Sequence, residues 1–199
     1  INLVANWAFD ERLNQFNYTS TDSTCEILGV KDKTIESVKI PEYITSIGDC
    51  AFEGCGNLSK IYIDSLESWC GIHRIKNLMK FGKSKELFMK EKELTDIVIP
   101  DGVTYIDDYA FYNCAGLTSL EFSDSVTSIG ELSFFSCEKL NNVIIPDSVI
   151  RIGNESFLSC LNLERIVLGS GVSFIGSNSF DCCDKLEKIT VVQNNPIIY

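Results

Sequence analysis

Nine cysteines give this sequence its widest choice of chemistry, because a thiol can form disulfides, bind metals or attack a substrate. Five of them occupy the same place in a repeated pattern: Cys55, Cys114, Cys137, Cys160 and Cys183. If the copies stack like neighbouring strands, successive Cβ atoms lie about 4.8 Å apart, whereas a disulfide needs about 3.8 Å. The spacing therefore predicts a column of buried, free thiols.

Four cysteines lie outside this column, and the sequence leaves one bridge among them open: Cys25, Cys50, Cys70 and Cys182. No Cys-x-x-Cys pair is present, so we predict no metal site. The only histidine, His73, follows Trp69 and Cys70, and a Cys–His nucleophile pair is one interpretation of that spacing. No third residue can be named to orient the pair, and no phosphate loop, dinucleotide fingerprint or Ser-elbow motif occurs. We therefore predict no catalytic residue and no cofactor.

Basic side chains concentrate in residues 73–92, which hold seven of the seventeen lysines and arginines but only two acids. Such a group would attract a sulfated glycan or an acidic protein patch, and its candidate residues are Arg74, Lys76, Lys80, Lys83 and Lys85. The alternative is a solvated loop that balances an acidic chain of net charge -11. That charge argues against nucleic acid as a partner. No apolar run approaches the roughly 20 residues of a membrane helix, so we predict no membrane insertion.

A 23-residue repeat must position all of these residues. Its first member is a leucine that recurs at Leu94, Leu117, Leu140, Leu163 and Leu186. One full copy has the pattern L-x-x-I-x-I-P-x-x-V-x-x-I-G-x-x-[AS]-F-x-x-C-x-x. Apolar positions locked to one period are typical of a solenoid, in which each turn stacks on the one before. Equivalent residues should then share columns, with Phe111, Phe134 and Phe157 aligned.

Each copy also predicts its own local structure. Val143 and Ile145 alternate like the inward residues of a first strand, which Pro146 ends. A bent second strand follows, and the [AS]-F-x-x-C segment predicts a short helical turn that directs Phe into the core. A glycine column is expected at a corner with positive φ, and Asp107 takes that place in one copy. The glycines are Gly48, Gly130, Gly153 and Gly176.

The period divides the chain, which we predict to be a single domain over residues 1–199. Residues 1–34 form an N-terminal cap that contains a hairpin over 16–30. Residues 35–57 are one repeat, and 58–93 are a variant repeat with an insertion that carries the basic group. Residues 94–185 are four regular repeats, and 186–199 are a partial repeat or the C-terminal end.

The outward side chains of the first strands form the candidate partner-binding surface. Their chemistry varies from copy to copy, and Val98, Ile144 and Val167 add an apolar line to an exposed face, a feature that often marks partner sites. The alternative is that apolar strand formers simply suit a sheet surface. The candidate residues are Lys60, Tyr62, Asp96, Val98, Ser119, Glu121, Asn142, Ile144, Arg165 and Val167.

The repeat resembles the BspA-like leucine-rich repeats of bacterial surface proteins, which are related to those of treponemes. The segment Val143-Ile144-Ile145-Pro146-Asp147-Ser148-Val149, followed by Ile152-Gly153 and Phe157-x-x-Cys160, carries the resemblance. It implies a right-handed leucine-rich-repeat stack, rich in β-strand with short helical turns. It also implies an extracellular or cell-surface location in bacteria, where some members are adhesins for host extracellular proteins.

Together these observations predict a non-enzymatic module that binds a protein partner. One rival hypothesis is a structural spacer that presents another domain. Another is a glycan-binding module that uses the basic insertion.

Overall fold

A computed structural model describes residues 10–192 of the chain. The chain winds into stacked coils, and a regular coil contributes two short strands and a run of turns. A short 3-10 helix, Glu11–Gln15, precedes the first coil. The remaining elements follow in this order: β1 Phe16–Ser20, β2 Cys25–Val30, β3 Ser37–Ile40, β4 Ser46–Ile47, β5 Lys60–Ile63, α1 Leu66–Cys70, α2 Lys76–Met79, β6 Glu86–Met89, β7 Lys92–Glu93, β8 Asp96–Val98, β9 Tyr105–Ile106, β10 Ser119–Glu121, β11 Ser128–Ile129, β12 Asn142–Ile145, β13 Arg151–Ile152, β14 Arg165–Leu168, β15 Phe174–Ile175 and β16 Lys188–Val191.

Parallel strands one repeat apart pair along two faces of the stack. The first strands of the regular coils form one sheet in the order β8-β10-β12-β14-β16, and the second strands form another in the order β9-β11-β13-β15. Their register follows the 23-residue period, since Ile97 lies opposite Leu120 and Val143 opposite Ile166. Each inward residue therefore covers its counterpart in the next coil, which confirms the predicted leucine-rich-repeat solenoid.

The phenylalanine column forms the centre of the core, as predicted. Phe111, Phe134 and Phe157 are fully buried, and their rings stack with centroids 5.2 and 5.1 Å apart. Phe180 extends the column at 5.6 Å from Phe157. Near-parallel rings at this separation combine large apolar burial with a favourable aromatic geometry. A single residue type at one position of the repeat therefore builds a continuous interior.

The glycine column serves a different purpose from the predicted one. None of its four members has a positive φ. A Cβ at Gly153 would instead lie 2.6 Å from the backbone N of Glu131 in the preceding coil, and one at Gly130 would lie 2.7 Å from Ile106 O. The prediction of a positive-φ corner was therefore wrong, because these positions need glycine for close contact between coils.

Positive φ falls at two other columns that carry ordinary side chains: Tyr109, Leu132, Glu155 and Asn178, and then Asn113, Ser136, Ser159 and Cys182. The first column directly precedes the [AS]-F-x-x-C segment and the second lies within it, so the segment forms successive reverse turns where a helical turn was predicted. In one coil Tyr112 N–H donates to Tyr109 O at 3.0 Å, and Cys114 N–H donates to Phe111 O at 3.2 Å. Within residues 10–192, α-helix is confined to α1 and α2.

The hairpin predicted over residues 16–30 is present at the N-terminal end. Strand β1 pairs antiparallel with β2, with Phe16 opposite Val30 and Ser20 opposite Cys25. Strand β2 then pairs in parallel with β4, so the hairpin covers the edge of the first coil. The domain boundaries proposed from the sequence stay a prediction, and their outermost parts, residues 1–9 and 193–199, lie outside the described residues.

The variant repeat divides the first-strand face into two sheets. Strand β6 adds to β5 in parallel, β7 folds back on β6, and a new sheet begins at β8. The indole N–H of Trp69 donates to Ala110 O at 3.1 Å. In regular coils the equivalent carbonyl, such as Ser133 O, accepts the backbone N–H of a phenylalanine in the preceding coil. Trp69 thus supplies the donor that this coil lacks.

Candidate partner-binding face

Eight of the ten predicted binding residues share one surface, the outward side of the sheet β8-β10-β12-β14-β16, here called the outward face. They form two rows, and register pairs Glu121 with Val98 and Ile144 with Val167. The row nearer the start of the strands contains Asp96, Ser119, Asn142 and Arg165, and the other contains Val98, Glu121, Ile144 and Val167. The last two predicted residues, Lys60 and Tyr62, lie on β5 in the separate sheet.

Aliphatic side chains are exposed on this face although a dry core lies directly beneath them. Val98 is 59% exposed and Ile144 is 64% exposed, whereas their strand neighbours Ile97 and Val143 are buried. A depression of ≈ 450 Å³ lies beside Ile144, with Glu121 and Phe122 in its wall. Strand β12, which carries Ile144, is paired on both sides, whereas β8, which carries Val98, is the edge strand and pairs with β10 alone within the described residues. Paired strands hold outward side chains in fixed positions.

The row that contains Val98, Glu121, Ile144 and Val167 is here called the aliphatic row. An aspartate column borders the outward face, three residues further along the chain in each coil. Its members Asp101, Asp124 and Asp147 are all exposed. The Ser170 backbone N–H donates to Asp147 Oδ1 at 2.6 Å, and this hydrogen bond lowers the pKa of the Asp147 carboxyl. Asp147 therefore stays ionised at neutral pH, and the column gives this edge a negative potential.

A second aromatic group surrounds Tyr62 on the neighbouring sheet. The Tyr62 ring stacks on Phe88 with centroids 4.9 Å apart, and Lys39 Nζ lies 5.7 Å from the Tyr62 centroid. Lys39 also reaches Glu91 at 3.8 Å. Sequence reasoning missed both neighbours of Tyr62. Lys39 could have been found from the register of the first repeat, but Phe88 lies in the insertion, where the period gives no guide.

The five candidate anion-binding residues do not form one exposed patch. Lys85 is 1% exposed, and its ammonium donates to Phe81 O at 2.5 Å and to Lys83 O at 2.6 Å. Burial lowers the pKa of Lys85 to about 8. Arg74 forms an ion pair with Glu26 at 2.5 Å. The exposed members without a described ion pair are Lys76, Lys80 and Lys83. Lys85 is therefore a structural residue, and the sequence placed it wrongly on the surface.

The cysteine column consists of free thiols, and those of Cys137, Cys160 and Cys183 donate to backbone carbonyls. The Cys137 thiol donates to Phe111 O at 3.3 Å, and the Cys160 thiol makes the same bond to Phe134 O. Burial raises the pKa of Cys114 to about 12. These thiols stay protonated at neutral pH, so their reactivity is low.

The Cys70 thiol, near His73 in the sequence, does not have the lowered pKa of an activated nucleophile. Burial raises the pKa of Cys70 to about 12, the opposite of what a reactive thiolate requires. The backbone of His73 extends the second-strand face, since its N–H donates to Thr45 O at 2.9 Å and its carbonyl accepts the Ile47 N–H at 3.1 Å. In the described part of the chain, no group of His, Cys, Asp or Glu side chains has the arrangement of a metal site.

Stacked coils whose equivalent strands pair in parallel one repeat apart define a leucine-rich-repeat solenoid, a fold that generally serves as a non-enzymatic scaffold for binding proteins. The chain belongs to the BspA type leucine rich repeat family, which residues 5–73 and 84–199 match in six copies. Within residues 10–192, no helix has the length and hydrophobicity needed to cross a bilayer.

Three solved structures of bacterial proteins are similar to this chain. A leucine-rich repeat protein from Bacteroides ovatus is 30% identical with a TM-score of 0.50, and the match covers 78% of this chain and 37% of that one. The leucine-rich repeat protein of T. pallidum is 22% identical (TM-score 0.44; 88% and 68% covered). The pneumococcal vaccine antigen PcpA is 14% identical (TM-score 0.45; 81% and 58% covered). This chain spans less than two thirds of the Bacteroides ovatus and pneumococcal proteins. A search of curated proteins found no match.

Proposed function

We propose that this chain is a non-enzymatic protein-binding module of an exported bacterial protein, and that it binds its partner on the outward face. The proposal depends on the exposure of two aliphatic side chains in the aliphatic row. Val98 is 59% exposed to solvent and Ile144 is 64% exposed. Large exposed aliphatic groups on a rigid sheet gain free energy when a partner removes them from water. Family membership supports a location at the cell surface, where a host extracellular protein is the partner class we favour.

An array of purified extracellular proteins tests the binding function. Wild-type protein should be captured by at least one member, and Ile144→Lys should abolish that capture because it places a charge at the centre of the face. Ile150→Lys is the matched control, since Ile150 is 55% exposed but lies on the turn before β13, away from the outward face.

Two outcomes would contradict the proposal. If no array member captures the wild-type protein, a host extracellular partner loses its support and the spacer hypothesis gains. If both lysine variants lose capture equally, binding lies elsewhere on the chain. The cell-surface location is tested separately by antibody labelling of intact and permeabilised cells, and equal labelling of both is expected. Signal restricted to permeabilised cells would contradict it.

A further inference from the structure

Negative charge borders the aliphatic row mainly on one side. Beyond the aliphatic residues, the aspartate column presents three exposed carboxylates, and Glu121 adds another within the row itself. The row on the opposite side is mixed, with Asp96 at one end and Arg165 further along. A complementary partner therefore carries an apolar stripe with cationic side chains along one edge.

The spacing of the row selects the conformation of that partner. Val98 and Val167 are three strand spacings apart, a distance of about 14 Å. An α-helix places apolar residues i, i+3, i+7 and i+10 over about 15 Å, which matches the row closely. Four alternate residues of an extended strand cover about 20 Å, so a strand loses register before the fourth contact.

We infer that the outward face binds a cationic amphipathic helix that lies along the axis of the stack. Its apolar stripe covers Val98, Ile144 and Val167, and its Lys or Arg edge faces the aspartate column. One basic residue within the stripe lies over Glu121. This inference rests on the proposed function, because it names the class of partner for the same face.

Three synthetic peptides of about 18 residues, long enough to form a helix, test the inference. The first has Leu at helical spacing, one Arg within the Leu stripe at the position that meets Glu121, and further Arg residues along one edge. The second has the same composition in strict alternation, and the third replaces each Arg of the first by Glu. Fluorescence anisotropy should show binding of the first peptide, at least about tenfold weaker binding of the second, and none of the third. Equal affinity for the first two peptides would show attraction to an acidic chain without recognition of the row and would overturn the inference.

Variants of the protein locate the site. Ile144→Lys should weaken the first peptide at least about tenfold, because it removes the central aliphatic contact and adds a like charge. Asp124→Asn should reduce the dependence of affinity on salt, whereas the control Ile150→Lys should leave both quantities unchanged. Circular dichroism of each variant establishes that it is folded. An unchanged affinity of folded Ile144→Lys would overturn the inference.

The two proposals fail in different ways. If Ile144→Lys abolishes capture of an extracellular protein but the helical peptide does not bind, the proposed function stands and the helical partner is refuted. If the peptide binds as expected while no array member is captured, the helix inference stands and a host extracellular partner loses its support.

Discussion

Replacement of Gly153 by Ala is expected to destabilise the protein by about 2.5 kcal/mol, because a Cβ at this position has no room between coils. The new carbon would lie 2.6 Å from Glu131 N, against an ordinary contact distance of at least 3.4 Å. The coils must therefore separate by about 0.8 Å, which stretches the 2.8 Å bond from Gly153 N–H to Ile129 O beyond hydrogen-bonding range. One lost bond and local overpacking cost about 3 kcal/mol, and the lower entropy of the unfolded chain offsets about 0.5.

Thermal unfolding followed by circular dichroism should show a fall in Tm of about 5–10 °C for Gly153→Ala. Gly56→Ala is the matched control, since a Cβ at Gly56 meets nothing within 4 Å. Gly153→Asn discriminates between the two explanations of the column. Asn tolerates positive φ better than Ala, so a backbone conformation that required glycine would make Asn the milder change. An Asn variant more stable than the Ala variant would refute the close-contact explanation.

Three further predictions concern the variant turn and the thiols. Trp69→Phe should lower the free energy of unfolding by about 1–3 kcal/mol, because Ala110 O loses its donor, and an unchanged urea midpoint would contradict this. A thiol reagent should label only the exposed Cys50 and Cys182 rapidly in native protein and all nine cysteines after denaturation; fewer than nine would reveal a bridge. Burial lowers the pKa of Lys85 from 10.5 to about 8, so the cost of burying its charge is greatest below pH 8 and disappears above 10.5. The stability of wild type relative to Lys85→Met should therefore rise by about 3 kcal/mol across that range, and a flat difference would contradict the assignment.

Positions set by the repeat could be predicted because each inward residue meets its own counterpart in the next coil. The repeat alone therefore predicts the phenylalanine column and assigns Ile144 and Val167 to one outward row. It misjudged the glycine column, because a pattern of glycines does not distinguish positive φ from close contact. The residue types at Tyr109 and Leu132 do not indicate positive φ, because neither favours turns. Stacking against neighbouring coils imposes the conformation there.

The variant repeat escaped prediction for a different reason. The residues of its insertion have no counterparts one period away, so neither the burial of Lys85 nor the contact of Phe88 with Tyr62 could be inferred from copies. The Lys85 ammonium is buried and donates to two carbonyls of its own loop. This local arrangement has no counterpart in the 23-residue pattern. The outward face was therefore predictable where the chain is regular, and its separation from Lys60 and Tyr62 was not.

The division between β6–β7 and β8 has a mechanical consequence. Within residues 10–192, no strand pair joins the two first-strand sheets, and the junction is bridged by isolated bonds such as Lys85 N–H to Asn113 O and Trp69 to Ala110 O. Tension along the axis of the stack would be carried at this junction by a few separate hydrogen bonds. Within each sheet, the hydrogen-bond ladders between paired strands would carry it instead. Local unfolding is therefore expected to begin at this junction. The coils after Leu94 would unfold together while the coils next to the N-terminal hairpin stay folded.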